Sequence, residues 1–172
     1  MSNKVLVTYA TKHGSTAEIA EKISAVLAEQ GLAVDVVPVK QVQDLGAYTA
    51  VILGSAVYMG RWRGEAADFL KENEAALAAR DVWLFSSGPT DHGDVAELMD
   101  GWTFPESLKP VAERIKPHEM VIFHGELDLD ELGFFEKLII KNIKVPTGDF
   151  RDWEAITGWA AEVAETLQAP VS

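Results

Sequence analysis

Five short apolar runs constrain this chain more than any other feature: Val5-Leu6-Val7, Val34-Asp35-Val36-Val37, Ala50-Val51-Ile52-Leu53, Val82-Trp83-Leu84-Phe85 and Met120-Val121-Ile122-Phe123. Runs this short and this apolar are strands buried on both faces. Between them the hydrophobic period becomes helical. Ile19, Ala20, Ile23, Val26 and Leu27 share one face, and Gly31 is placed to cap that helix. Pro38 puts the end of the second run near a sheet edge, and a polar connection spans Gln41 to Tyr48. Helices are predicted from about Gly64 to Ala79 and from Glu106 to Lys116, with Pro110 blurring the start of the second. The last runs from Asp152 to Gln168, with Trp153, Ile156, Trp159, Ala160, Val163 and Leu167 on one face. Strands alternating with helices mean a parallel sheet covered on both sides. No repeat or low-complexity linker divides the 172 residues, so one domain is expected.

The first strand leads straight into Thr11-Lys12-His13-Gly14-Ser15-Thr16, and a helix follows at Ser15 or Thr16. Ser15 and Glu18 stand at capping-box spacing. A strand, a hydroxyl-rich loop and a helix N-terminus together make an anion site. The first-turn amides are free, the helix dipole favours negative charge, and Gly14 permits close backbone approach. With one lysine, the loop suits a single terminal phosphate better than a triphosphate and its metal. Neither the Walker pattern nor Gly-x-Gly-x-x-Gly is present. An ordinary capped turn is the alternative. The third and fourth strands also end in small residues, Gly54-Ser55 and Ser86-Ser87-Gly88, which would leave room for a planar ligand beyond the carboxyl edge.

A net charge of −12 argues against nucleic acid as the main partner and weakens binding to anionic lipid. It suits a redox carrier that meets basic proteins. The absence of cysteine excludes disulfides, thiol catalysis and cysteine-ligated metals. His13, His92, His118 and His124 have no ligand-pair spacing, so no metal site is expected. No run approaches a membrane span and the N-terminus has no apolar signal core; a cytoplasmic location is the expectation. A phosphoacceptor domain would need an aspartate where Gly54 stands.

Tyr9-x-Thr11-x-x-Gly14-x-Thr16 resembles the phosphate loop of the flavodoxin family. The resemblance implies an α/β flavodoxin-like doubly wound sheet of five parallel strands in the order 2-1-3-4-5. It further implies flavin mononucleotide (FMN), with its phosphate at Thr11, Lys12, His13, Gly14, Ser15 and Thr16. Two loops would flank the ring: Ser55, Ala56, Val57, Tyr58, Met59 and Gly60 on to Trp62, and Ser87, Gly88, Pro89, Thr90, His92 and Gly93. Within the family, Gly54-Ser55-Ala56-Val57-Tyr58-Met59-Gly60, an insertion over about residues 126–148, Asp149-x-Arg151 and Asp152-Trp153-Glu154 are similar to the branch containing menaquinone-dependent protoporphyrinogen IX dehydrogenase.

Tyr58 or Trp62 is placed to stack on the flavin, the alternative for Trp62 being to pack against its own helix. Gly60 either supplies a mobile peptide or starts that helix. His13 and His92 are candidate proton donors, and Arg61 and Arg63 could attract an anionic substrate. Leu132 to Lys144 reads as an amphipathic helix, the helical part of the insertion, with Phe134, Phe135, Leu138, Ile139 and Ile143 on a stripe beside Lys137, Lys141 and Lys144. It can pack within the protein, form a homodimer face or lie on a membrane; three lysines on an acidic chain favour the first two. The functions open to such a chain are an FMN oxidoreductase passing electrons from an organic substrate to a quinone or other acceptor, a flavodoxin-type carrier for a redox partner protein, and a scaffold without flavin.

Overall fold

A computed structural model describes residues 4–88, 98–127 and 148–169. Within them the five apolar runs form five parallel strands, β1 (Lys4–Ala10), β2 (Ala33–Pro38), β3 (Ala50–Tyr58), β5 (Asp81–Ser87) and β6 (Glu119–Phe123), with a short β4 (Arg61–Trp62) folded back on β3. Their order across the sheet is β2-β1-β3-β5-β6. Counting the parallel strands alone, this is the 2-1-3-4-5 arrangement that the family resemblance implied. Five helices accompany them among the described residues: α1 (Ser15–Glu29), α2 (Gly64–Glu72), α3 (Glu74–Ala78), α4 (Lys109–Ile115) and α5 (Trp153–Gln168).

Alternation along each strand divides the core in two. Val5, Val7, Ile52 and Phe85 pack with Ile19 and Ile23 of α1 and Ile156 and Val163 of α5. Leu6, Val51, Leu53 and Leu84 face the other way, toward Leu70, Leu77 and Ile115 of α2, α3 and α4. Both faces are therefore apolar, which is why the inner strands β1, β3 and β5 read as unbroken hydrophobic runs, while the edge strands β2 and β6 are only partly buried.

Several boundaries differ from expectation. The helix predicted over Gly64 to Ala79 breaks at Asn73, whose side-chain amide donates to the Phe69 carbonyl at 2.9 Å and competes with the helical ladder. A 3₁₀ turn, Glu106–Leu108, precedes α4, and Pro110 occupies the first turn of α4, where no N–H is required. The third strand does not stop at Leu53. It continues to Tyr58 because Ser55 and Ala56 pair with Ala10 of β1 and Ser87 of β5. The chain then reverses through Met59 and Gly60, at φ 55° and 75°, the pattern of a type I′ hairpin turn. Gly54 does not open space for a ligand, because a Cβ there would lie 2.0 Å from Cζ of Phe85. Its missing side chain makes room for that buried ring.

After β6, a two-stranded antiparallel ribbon, β7 (Glu126–Leu127) with β8 (Gly148–Asp149), forms the base of the insertion. The helix predicted from Leu132 to Lys144 lies outside the described residues.

Candidate functional site

β1, β3 and β5 are neighbours in the sheet, so their carboxyl ends bring Thr11, Ser55 and Ser87 to one edge. Parallel strands joined by crossovers concentrate ligand sites there. The first of the three segments is the most specific.

Leaving β1, the chain turns through Thr11 to Gly14, and Thr11 Oγ1 accepts a hydrogen bond from the Gly14 amide at 3.0 Å. Gly14 adopts φ 93°, a conformation that favours glycine, and serves as the N-cap of α1 without a side-chain cap. The expected capping box is absent. Ser15 already lies inside the helix, so Glu18 falls at the fourth helical position and not the third. Glu18 Oε1 lies instead 3.5 Å from Nη1 of Arg151. The first helical turn therefore presents its amides without a capping side chain, at the positive end of the helix dipole. Thr16, in that turn, is 0% exposed, and its hydroxyl has no hydrogen-bond partner. Such an orphaned group costs about 1–3 kcal/mol until it is given a partner. Thr8 Oγ1 and Trp159 Nε1 are also buried and unpartnered, but neither stands at an uncapped helix start. Lys12 is exposed, while His13 and Ser15 are half-buried in the same turn.

The β3–β4 hairpin forms the second segment. Ser55 is buried and internally engaged: Oγ donates to the Ala56 carbonyl at 2.9 Å and accepts from the Arg63 amide at 3.0 Å. Trp62 is buried as well, donating from Nε1 to Ser86 Oγ at 2.8 Å and meeting Phe104 edge-on at 5.0 Å. Trp62 is thus a core residue and not a stacking platform. Its contacts extend beyond its own helix to Ser86 and Phe104. Tyr58 and Met59, at 57% and 77% exposure, are the uncovered large side chains at the tip. Gly60 belongs to the hairpin turn and not to a helix start; its carbonyl accepts from Trp102 Nε1 at 3.1 Å. Ala56 and Val57 are half-buried. Arg63 is paired to Glu65 at 2.7 Å, which holds that carboxyl below its usual range, while Arg61 is exposed.

In the third segment, Ser87 is buried and the Gly88 amide donates to the Phe123 carbonyl at 3.0 Å. Pro89, Thr90, His92 and Gly93 lie outside the described residues.

Trp102 and Arg151 were not assigned to the site from the sequence. The guanidinium of Arg151 meets both oxygens of Asp149, Nε to Oδ1 at 2.9 Å and Nη2 to Oδ2 at 2.8 Å. Its Nη1 donates to the Ser15 carbonyl at 3.2 Å. The hydrogen bond from Arg151 holds the Asp149 carboxyl down at about 2. Only the Asp-x-Arg spacing could have hinted at this cluster, since its other partners are remote in sequence.

Elsewhere, a cavity of about 460 Å³ beside α2 is lined by Val39, Leu45, Glu65, Asp68, Phe69 and Glu72 among others, and includes none of the predicted site residues. Among the described residues, no group of three or more histidines and carboxylates could hold a metal ion, and no helix is long and apolar enough to cross a membrane.

A flavodoxin-domain family model matches residues 6–154. The chain belongs to the flavodoxin-domain family. Membership makes FMN the cofactor and places the chain among flavin oxidoreductases and electron carriers. The uncapped α1, the φ of Gly14 and the orphaned Thr16 hydroxyl fit its phosphate end. One similar curated protein is "Protoporphyrinogen IX dehydrogenase [quinone]" of Escherichia coli K12, 20% identical over 97% of this chain and 98% of that protein. Among solved structures, an archaeal flavodoxin superposes with a TM-score of 0.63 at 15% identity, covering 96% of this chain and 99% of that one. Rubredoxin:oxygen oxidoreductase of Desulfovibrio gigas matches 97% of this chain with only 36% of its own, at TM-score 0.61 and 16% identity.

Proposed function

We propose that this chain is an FMN-dependent oxidoreductase that takes electrons from an organic substrate and delivers them to a quinone or comparable acceptor. The observation that carries this reading is the end-to-end similarity to a quinone-linked protoporphyrinogen IX dehydrogenase, 97% of one chain against 98% of the other. The β7–β8 ribbon, held to α1 through Arg151, is consistent with an insertion built onto a minimal electron carrier.

FMN, when bound, supplies the electron-accepting and electron-donating chemistry. The protein's part is to hold and shield it. Thr11, Lys12, His13, Gly14, Ser15 and Thr16 are the residues that would take the phosphate, through first-turn amides and hydroxyls in place of a cluster of cations. Ser55 to Gly60, with Ser87 and Gly88, would flank the ring. Within that set the role of Ser55 is to keep the hairpin shaped, since its hydroxyl is engaged on both sides. Tyr58 takes the stacking role, because Trp62 is committed to the core. Arg61 supplies exposed positive charge for an anionic substrate, whereas Arg63 is paired to Glu65.

The test is anaerobic mixing of the FMN-loaded protein with protoporphyrinogen IX, followed by a water-soluble menaquinone analogue. Loss of flavin absorbance on the first addition and recovery on the second support the reading. Failure of the substrate to bleach a flavin that dithionite readily reduces would refute it. The net charge of −12 favours a second reading, a carrier that meets basic redox proteins. Resolved one-electron steps in a reductive titration would support the carrier.

A further inference from the structure

Arg151 is buried at a junction of four chain segments. Its side chain is 5% exposed, yet it faces three carboxylates: Asp149 on β8, Glu126 on β7 and Glu18 on α1. Its remaining guanidinium nitrogen reaches the Ser15 carbonyl at 3.2 Å, and the guanidinium lies 4.8 Å from the Trp153 ring centroid at the start of α5. Arg151 thus serves an acidic cluster that abuts the first turn of α1. Without Arg151 the carboxylates beside that turn would oppose a dianion more strongly.

The contact with Ser15 also has a specific electrical consequence. The Ser15 carbonyl and the Thr16 amide are two ends of one peptide unit. Donating a charged N–H to the carbonyl polarises that unit and makes the Thr16 amide a stronger donor. The polarised amide lies in the uncapped turn, on the residue whose hydroxyl is orphaned.

We infer that Arg151 is a positioning residue for the cofactor's phosphate: it offsets part of the negative charge of Glu18, Glu126 and Asp149 and orients and polarises the Ser15–Thr16 peptide. It need not touch the phosphate. The inference rests on the reading that the phosphate sits at Thr11 to Thr16. A clamp that merely closed the β7–β8 ribbon would support every ligand of the site equally. A phosphate-positioning residue acts only on ligands that carry phosphate.

The experiment compares FMN with riboflavin, the same ring system without phosphate, by fluorescence titration of the full-length apoprotein. The chains are wild type, R151K, R151M and T16V. Wild type should prefer FMN. R151M should lower FMN affinity by about tenfold or more while changing riboflavin affinity by about twofold or less. R151K keeps the charge and loses the planar fork, so it should fall between them. Equal losses for both ligands in R151M and R151K, or no loss for either, overturn the inference. Should R151M fail to fold by circular dichroism, R151K decides alone, with a selective loss of FMN affinity supporting the inference and a parallel loss overturning it. A wild type without preference for FMN, together with a T16V variant that binds FMN normally, would refute the phosphate-site reading itself.

Discussion

Valine at position 16 should make the empty protein more stable and the loaded protein weaker. Thr16 is 0% exposed and its hydroxyl has no hydrogen-bond partner. Leaving a buried hydroxyl unpaired costs about 1–3 kcal/mol. Valine has the same branched shape and a similar helix propensity, so Thr16→Val removes the penalty without opening a cavity. The apoprotein should gain about 1 kcal/mol, which for a chain of this size raises Tm by about 2–4 °C. FMN should respond in the opposite sense. A hydroxyl bonded to a charged phosphate contributes about 1.5–3 kcal/mol, so its loss weakens binding by about 10- to 150-fold.

Urea unfolding of the apoprotein gives the first quantity, and a fluorescence titration gives the second. The opposed signs are what make the pair informative. A packing defect would lower both stability and affinity; an irrelevant position would change neither. A variant less stable than wild type when empty, with FMN affinity unchanged, would refute the placement of an unsatisfied hydroxyl at the phosphate site.

Gly54→Ala should destabilise the fold by about 3 kcal/mol, since the new methyl would stand 2.0 Å from a Phe85 ring already packed against Phe123 and Trp159. Adding Phe85→Leu should recover part of that loss in urea unfolding, and purely additive effects would refute the clash. Tyr58→Ser should leave stability within about 0.5 kcal/mol, because the side chain is largely exposed, yet weaken FMN by about 1 kcal/mol in titration. The Asp149 carboxyl is held at about 2, below its usual 3.8, so the unfolded chain binds the extra proton. Its contribution is complete above about pH 4 and is lost as pH falls from there toward 2. Asp149→Asn should flatten that part of the acid-unfolding profile, by a modest amount because the carboxylate is partly exposed.

The sheet was legible because its inner strands β1, β3 and β5 are buried on both faces, so nothing but apolar residues serves at Val5 to Val7 or Val82 to Phe85. The turn from Thr11 through Gly14 into α1 was legible because its chemistry is local. What escaped depended on partners distant in sequence. Gly54 read as an opening for a ligand, and only the strand register, which sets it beside Phe85, reveals its packing role. Trp62 looked like a candidate stacking residue until the hairpin turned it inward to Ser86. That hairpin was hidden because its turn places Met59 at positive φ, a conformation that no local propensity assigns to methionine. The capping box failed by one residue, a margin within which helix starts shift. Arg151 offered no more than a short charged motif, since Ser15, Glu18 and Glu126 come to it through the fold.

Those non-local bonds share a location. Trp62 to Ser86 ties the β3–β4 hairpin to β5, Trp102 to Gly60 ties the segment following β5 back to the hairpin tip, and Arg151 to Ser15 ties the β7–β8 ribbon to α1. Each uses the donor of a large side chain to hold a loop that local turn chemistry would leave less constrained. A ligand entering such an edge has less to order, and the entropy saved appears as affinity. An edge held this way also resists the reshaping that accompanies changes in ligand charge, so control over electron flow must come from which side chains meet the ligand. On the proposed reading, the exposed Tyr58 and the orphaned Thr16 would be two such contacts among the described residues.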